Sequence, residues 1–151
     1  MDKNQALIML SASNRTAFGK QEFSQQSVPQ KVFSAIWAVE SEVNNGGFSQ
    51  YFFNDSRETA GFVVEALERV GALHTAELCR QAIAAAFPGG LPDDSELIRS
   101  TAADFSDETD AVLNELDGKF YAYPDNLTDL LYRFVSERPE EFGELPNAAG
   151  S

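Results

Sequence analysis

Residues 27–54, SVPQKVFSAIWAVESEVNNGGFSQYFFN, decide how this chain folds. The stretch opens as a helix. Ser27 stands where an N-cap side chain accepts from the first-turn amides, Pro29 lies in the first turn, and Gln30 occupies the reciprocal position of a capping box. Val32, Ile36, Val39 and Val43 then recur at helical spacing, and Gly46-Gly47 reads as the stop. A short aromatic segment, Phe48 to Phe53, follows.

Helical geometry ranks the polar residues of this stretch. At about 100° per residue, with Val32 at zero, Val43 falls near 20°, Ile36 near 40°, Phe33 near 100° and Trp37 near 140°. Glu40 then lies at roughly 80° and Asn44 at roughly 120°, within the apolar face, while Glu42 at roughly 280° points away from it. A carboxylate so placed needs hydrogen-bond partners. The nearest in sequence are the amides after Gly46-Gly47 and the side chains of Gln50, Tyr51 and Asn54, so Glu40 and Asn44 are expected to pin this helix to the aromatic segment. The other reading is a small-ligand or enzymatic pocket built from Glu40, Asn44, Asn45, Gln50, Tyr51 and His74. Glu40 and Glu42 do not make a hydrolase pair, since they diverge by about 200° on a helix and cannot flank one bond.

The same punctuation continues outward. Asp55 with Glu58 opens a second long helix bearing Phe62, Val63, Ala66, Leu67 and Val70, which Gly71 closes. Thr75 caps a third, with Leu78, Cys79, Ala82, Ile83 and Phe87 on one face, stopped by Pro88-Gly89-Gly90. A loop containing Pro92-Asp93-Asp94 comes next. Ser106 starts a helix through Val112, Leu113 and Leu116 to Gly118, and Asn126 starts another through Leu127, Leu130, Leu131 and Phe134 that Pro139 ends. No strand alternation competes. The expected fold class is all-α, a single compact multi-helix domain with short loops over residues 1–151, with 139–151 as a disordered polar tail.

Composition bounds the function. The 151 residues are 43% apolar and 11% aromatic, enough to build one core. Eleven Lys and Arg stand against 24 Asp and Glu, net −13, which excludes direct binding to nucleic acid or an anionic membrane, because phosphate must be met by cations. Residues 1–75 are nearly balanced at −2, whereas residues 76–151 carry −11. One cysteine and one histidine exclude an internal disulfide and every zinc site made of several such ligands. Cys79, on an apolar stripe, reads as a buried structural thiol, and His74 as a capping or surface residue. There is no glycine-rich phosphate loop and no nucleophile elbow, and the run Asp104, Asp107, Glu108, Asp110 lacks the ligand alternation and central glycine of an EF-hand. No catalytic residue, cofactor site or metal site is therefore expected. The apolar runs Ala6–Leu10 and Ala82–Phe87 are too short for a secretory core or a membrane span, so the expected location is cytoplasmic.

The run Glu42-Val43-Asn44-Asn45-Gly46-Gly47-Phe48, followed by Gln50-Tyr51-Phe52 and Asn54 and preceded by Trp37 and Glu40, resembles the signature of the bacterial DNA-mimic protein family. The best-described member of that family binds a transcription factor and keeps it from its operator. Further landmarks are Glu65-Ala66-Leu67 with Gly71-Ala72, the helix ending Phe87-Pro88, and Leu116-Asp117 with Phe120-Tyr121 and Tyr123-Pro124, so that the resemblance spans roughly residues 27–137. Asp55-Ser56-Arg57-Glu58 departs from the small Ser/Gly-rich turn expected there. The resemblance implies an all-α fold and a cytoplasmic bacterial protein, and it allows a homodimer. A shared fold does not carry a shared surface function.

Mimicry must come from the acids. The candidate partner-binding residues are Asp93, Asp94, Glu96, Asp104, Asp107, Glu108, Asp110, Glu115, Asp117, Asp125 and Asp129. On the helix after Ser106, Glu108 and Glu115 flank the apolar face on one side and Asp110 and Asp117 on the other. Plain solvation and the macrodipole preference for acids in a first turn explain part of this set. Three functions follow: an acidic protein that occupies the DNA-binding surface of a basic partner such as a transcription factor, an immunity or inhibitor protein against a basic toxin, or the small-ligand or enzymatic pocket named above.

Overall fold

The computed structural model describes residues 2–12 and 21–143. Among these, every regular element is helical: α1 (Lys3–Ser11), α2 (Val28–Phe53), α3 (Val63–Val70), α4 (Leu73–Ala86), α5 (Ser95–Ala102), α6 (Asp107–Tyr121), α7 (Leu127–Ser136) and α8 (Pro139–Phe142), with 3-10 turns at Phe23–Gln25 and Asp55–Thr59. None of these helices is long and apolar enough to cross a membrane.

Helix α2 is the axis of the fold. Its capping box forms as expected, with Ser27 Oγ accepting from Gln30 N at 3.3 Å and Gln30 Oε1 accepting from Ser27 N at 3.2 Å. Val32, Ile36, Val39 and Val43 are fully buried, and α3, α5, α6 and α8 pack around them and their neighbours. Helix α4 bridges α3 and α6, while α7 joins α1, α3 and α8. Phe52, at the far end of α2, holds the other pole of the core through ring contacts with Phe48, Tyr51, Phe87 and Phe105. Cys79 lies in the same core, 1% exposed, and burial pushes its thiol pKa up to about 12.

Several boundaries differ from expectation, each for a physical reason. Gly46-Gly47 does not end the first helix. Gly47 breaks it with φ 84° and ψ 179°, and the aromatic segment then continues as helix to Phe53. Asp55 and Glu58 open only a 3-10 turn, because Arg57 is drawn inward to donate to the Phe53 carbonyl and to Ser95, and α3 begins later at Val63. Gly71 does close α3, in the left-handed conformation at φ 87°. Helix α4 starts before Thr75, whose amide and hydroxyl are capped from outside by Asp125. The loop at Pro92 leads into α5, which Asp94 caps by accepting from Glu96 N. Helix α6 starts from its Ser106 cap and runs through Gly118 to Tyr121, since burying Phe120 outweighs one interior glycine. The segment expected as a tail begins instead with α8, whose Phe142 is buried against the ring of Phe33; residues 144–151 of that tail lie outside the described set. Helix α1, capped by a box between Asp2 and Gln5, carries Leu7 and Leu10 into the core, and its weak apolar run gave no signal at the level of sequence.

Candidate functional site

The break at Gly47 organises the most distinctive polar site of the molecule. A helix interrupted in mid-course leaves amides without carbonyls and carbonyls without amides, and each must find another partner. Helix α6 supplies them. Asp117 Oδ1 accepts from Phe48 N at 2.8 Å, in the position of an N-cap to the second half of α2. Tyr121 Oη donates to the Val43 carbonyl at 2.9 Å, taking up an acceptor from the first half. The side chain of Asp117 also occupies the place where a Cβ on residue 47 would stand, its Cγ 2.9 Å from that point. Only glycine meets both the backbone angle and the close approach.

Just beyond α6, Tyr123 holds a backbone φ of 49°, the one non-glycine left-handed residue among those described. Its hydroxyl donates to Glu40 Oε1 at 3.0 Å and accepts from Asn44 Nδ2 at 2.6 Å. Glu40 and Asn44 therefore do pin α2, but to the chain after α6 and not to Gln50, Tyr51 or Asn54. The residue that ties the two halves of α2 together is Glu42, whose Oε2 accepts from Gln50 Nε2 at 2.7 Å and Asn54 Nδ2 at 3.1 Å. Because the helix resumes beyond Gly47 where a stop was expected, Gln50 and Asn54 come back within reach of Glu42.

The alternative pocket of Glu40, Asn44, Asn45, Gln50, Tyr51 and His74 is not assembled. Tyr51 is buried and its hydroxyl pairs with Thr59 Oγ1 at 2.6 Å, in a setting whose burial raises the phenol pKa. His74 is exposed at the start of α4, 3.2 Å from Asp125. Asn45 is exposed, and Trp37 is half-buried, stacked on Phe33. Among the described residues no group of three or more His, Cys, Asp or Glu side chains is arranged to hold a metal ion.

The candidate acids divide by environment. Asp117, expected on the surface, is turned into the joint and only 8% exposed. Asp125 is bound to Thr75 and His74; burial opposes its charge, but those donors outweigh it and hold its pKa below the usual aspartate value. Asp94 caps α5, Glu96 pairs with Arg57 at 3.2 Å, and Asp129 pairs with Lys3 at 3.3 Å. Asp110 is half-buried. Asp93, Asp104, Asp107 and Glu108 are exposed without an ion pair, and Glu115 is exposed with a loose contact of 3.8 Å to Lys119.

Glu40 yields a pH prediction. Burial raises its pKa, against the lowering effect of the Tyr123 hydroxyl. A carboxylate whose folded pKa is raised stabilises the fold below its unfolded pKa, and that contribution is lost as pH rises through the folded value. At neutral pH the charge is thus a burden that a neutral amide avoids while still accepting from Tyr123. Thermal melts of Glu40→Gln are expected to match or exceed wild type at pH 7, with the margin shrinking as pH falls toward 4.5, the ordinary glutamate value. A variant markedly less stable than wild type at pH 7 would contradict this reading.

A family model described as DMP19-like protein matches residues 24–138. No curated protein and no solved structure matches the chain.

Proposed function

We propose, for a chain that belongs to the DMP19-like protein family, that it is an acidic interaction protein occupying the DNA-binding surface of a basic partner such as a transcription factor. The reading rests on the acids that the fold leaves unused. Asp93, Asp104, Asp107 and Glu108 are exposed and unpaired, and Glu115 stands seven residues after Glu108 on the outward side of α6, opposite the buried Leu113, Leu116 and Phe120. Seven residues rise about 10.5 Å along the axis. Duplex DNA presents its phosphates at close, regular intervals along its axis, and a basic surface arranged for them meets carboxylates on successive turns of one helix face by charge.

The test is competition. A basic protein captured from a lysate of the source organism at low salt is loaded with its DNA, and this chain is added. The DNA is expected to be displaced, and the protein complex to weaken steeply with salt. Replacing two exposed charges with Glu108→Gln and Glu115→Gln should weaken the complex roughly threefold to tenfold at low salt, in keeping with the modest worth of surface pairs. A complex that ignores salt and leaves the DNA bound would refute the reading.

A further inference from the structure

We infer that Glu40, Asn44 and Tyr123 form a preformed seat for a cationic side chain of the partner, an arginine guanidinium. The inference rests on the acidic-interaction reading above for the identity of the partner, but its geometry is independent of the exposed acids. Glu40 is half-buried, Tyr123 occupies its Oε1, and its Oε2 has no protein partner. No Lys, Arg or His among the described residues pairs with it, although exposed glutamates elsewhere, Glu65, Glu68, Glu77 and Glu96, each have an arginine.

Three features make this arrangement suited to a guanidinium. First, folding has already taken part of the water from Glu40, so a cation that arrives meets a carboxylate whose desolvation is partly complete, and their attraction is less screened than at an open surface. Second, Asn44 fixes the Tyr123 hydroxyl from the other side, and the left-handed backbone of Tyr123 holds its ring over α2, so the acceptor does not have to be ordered on binding. Third, Tyr121 and Tyr123 stay 48% and 40% exposed, with both hydroxyls anchored on residues 40–44 of α2. Partly exposed tyrosines beside a partly dry carboxylate are the surroundings in which interfaces bury arginine, whose planar fork bonds the oxygen while its face stacks on a ring. A lysine ammonium offers the charge and hydrogen bonds but no planar fork to match the carboxylate and stack on the ring.

The full chain is titrated with N-acetyl-arginine amide and, as a neutral isostere, with N-acetyl-citrulline amide, following the Tyr123 ring and Asn44 side-chain signals by NMR. The arginine compound is expected to shift both signals saturably in the millimolar range. Binding should fall at least fivefold with the citrulline compound and at least fivefold in Glu40→Gln, a variant that keeps the acceptor for Tyr123 and whose folding is checked by its melt. It should be unchanged in Glu108→Gln/Glu115→Gln. Equal binding of the citrulline compound, undiminished binding by Glu40→Gln, or a non-saturating drift shared by all exposed acids overturns the seat. The two proposals fail separately. An arginine titration that behaves as stated while DNA competition is absent refutes the proposed function and leaves the seat standing. Intact DNA competition with an arginine titration indifferent to Glu40→Gln refutes the seat alone.

Discussion

Gly47→Ala is expected to destabilise the fold by about 3–5 kcal/mol, a fall in melting temperature of roughly 10 °C or more. Two effects add. The backbone angles at residue 47, φ 84° and ψ 179°, belong to a region that is essentially reserved for glycine. The new methyl group would also press on the Asp117 carboxylate, which cannot withdraw without abandoning the Phe48 amide. The neighbouring substitution provides the control. Gly46 is helical, and a Cβ there meets only the flexible side chain of Gln50. Gly46→Ala gains about 0.5–1 kcal/mol of helix propensity and loses about as much from the displaced Gln50–Glu42 bond, so its net effect lies near zero. Denaturant unfolding of the two variants separates them, and equal losses would show that residue 47 is not the joint.

Asp117→Ala is the second large effect, about 2–3 kcal/mol, because it leaves the buried Phe48 amide without an acceptor. Asp117→Asn retains an acceptor oxygen and should cost far less at pH 7. The pH dependence has a definite sign: burial raises the Asp117 pKa, against the lowering effect of the Phe48 amide, so its protonated form is favoured in the fold and the stabilisation fades as pH rises through the folded value. The alanine variant should therefore fall further behind wild type as pH is lowered from 7 toward the usual aspartate range. The two sites are also coupled. Gly47→Ala costs less in the Asp117→Ala background, where its methyl group meets no carboxylate, and a double-mutant cycle should return an interaction of about 0.5–3 kcal/mol. Strict additivity would mean that Asp117 and Gly47 act apart.

What the sequence disclosed was local. Ser27 with Gln30, Ser106 and Asn126 announce helix starts because caps are satisfied within three or four residues. The signature of residues 42–54 was visible, and so was the all-helical class. What stayed hidden was long-range. Nothing near Asp117 reports that it faces inward, since its partner, the Phe48 amide, is an ordinary backbone group that becomes an orphan only through the break at Gly47. The partners of Glu40 and Asn44 were misassigned because a helical wheel ranks faces of one helix and carries no trace of Tyr123, 83 and 79 positions away, while the pairing of Glu42 with Gln50 and Asn54 depends on the helix resuming beyond Gly47. Tyr123 was noticed only as a landmark beside Pro124, and a left-handed tyrosine has no sequence signal. The surface acids were countable, but their division into engaged and free required knowing that Asp125 reaches Thr75 and that Lys3 reaches Asp129.

The joint also sets an order of events in synthesis. The Phe48 amide and the Asp117 carboxylate are separated by 69 positions, and Tyr121 lies 78 positions from the Val43 carbonyl. A nascent chain that has made the whole of α2 still lacks the residues that splice its halves, and at about 5–20 residues per second it waits several seconds for them. During that interval the segment from Phe48 to Phe53 is a short, uncapped aromatic helix, too brief to persist alone. The rings of Phe52 and Phe48 thus wait for Phe105 and Phe120 to be made, which marks this segment as one a chaperone would meet on an unfinished chain.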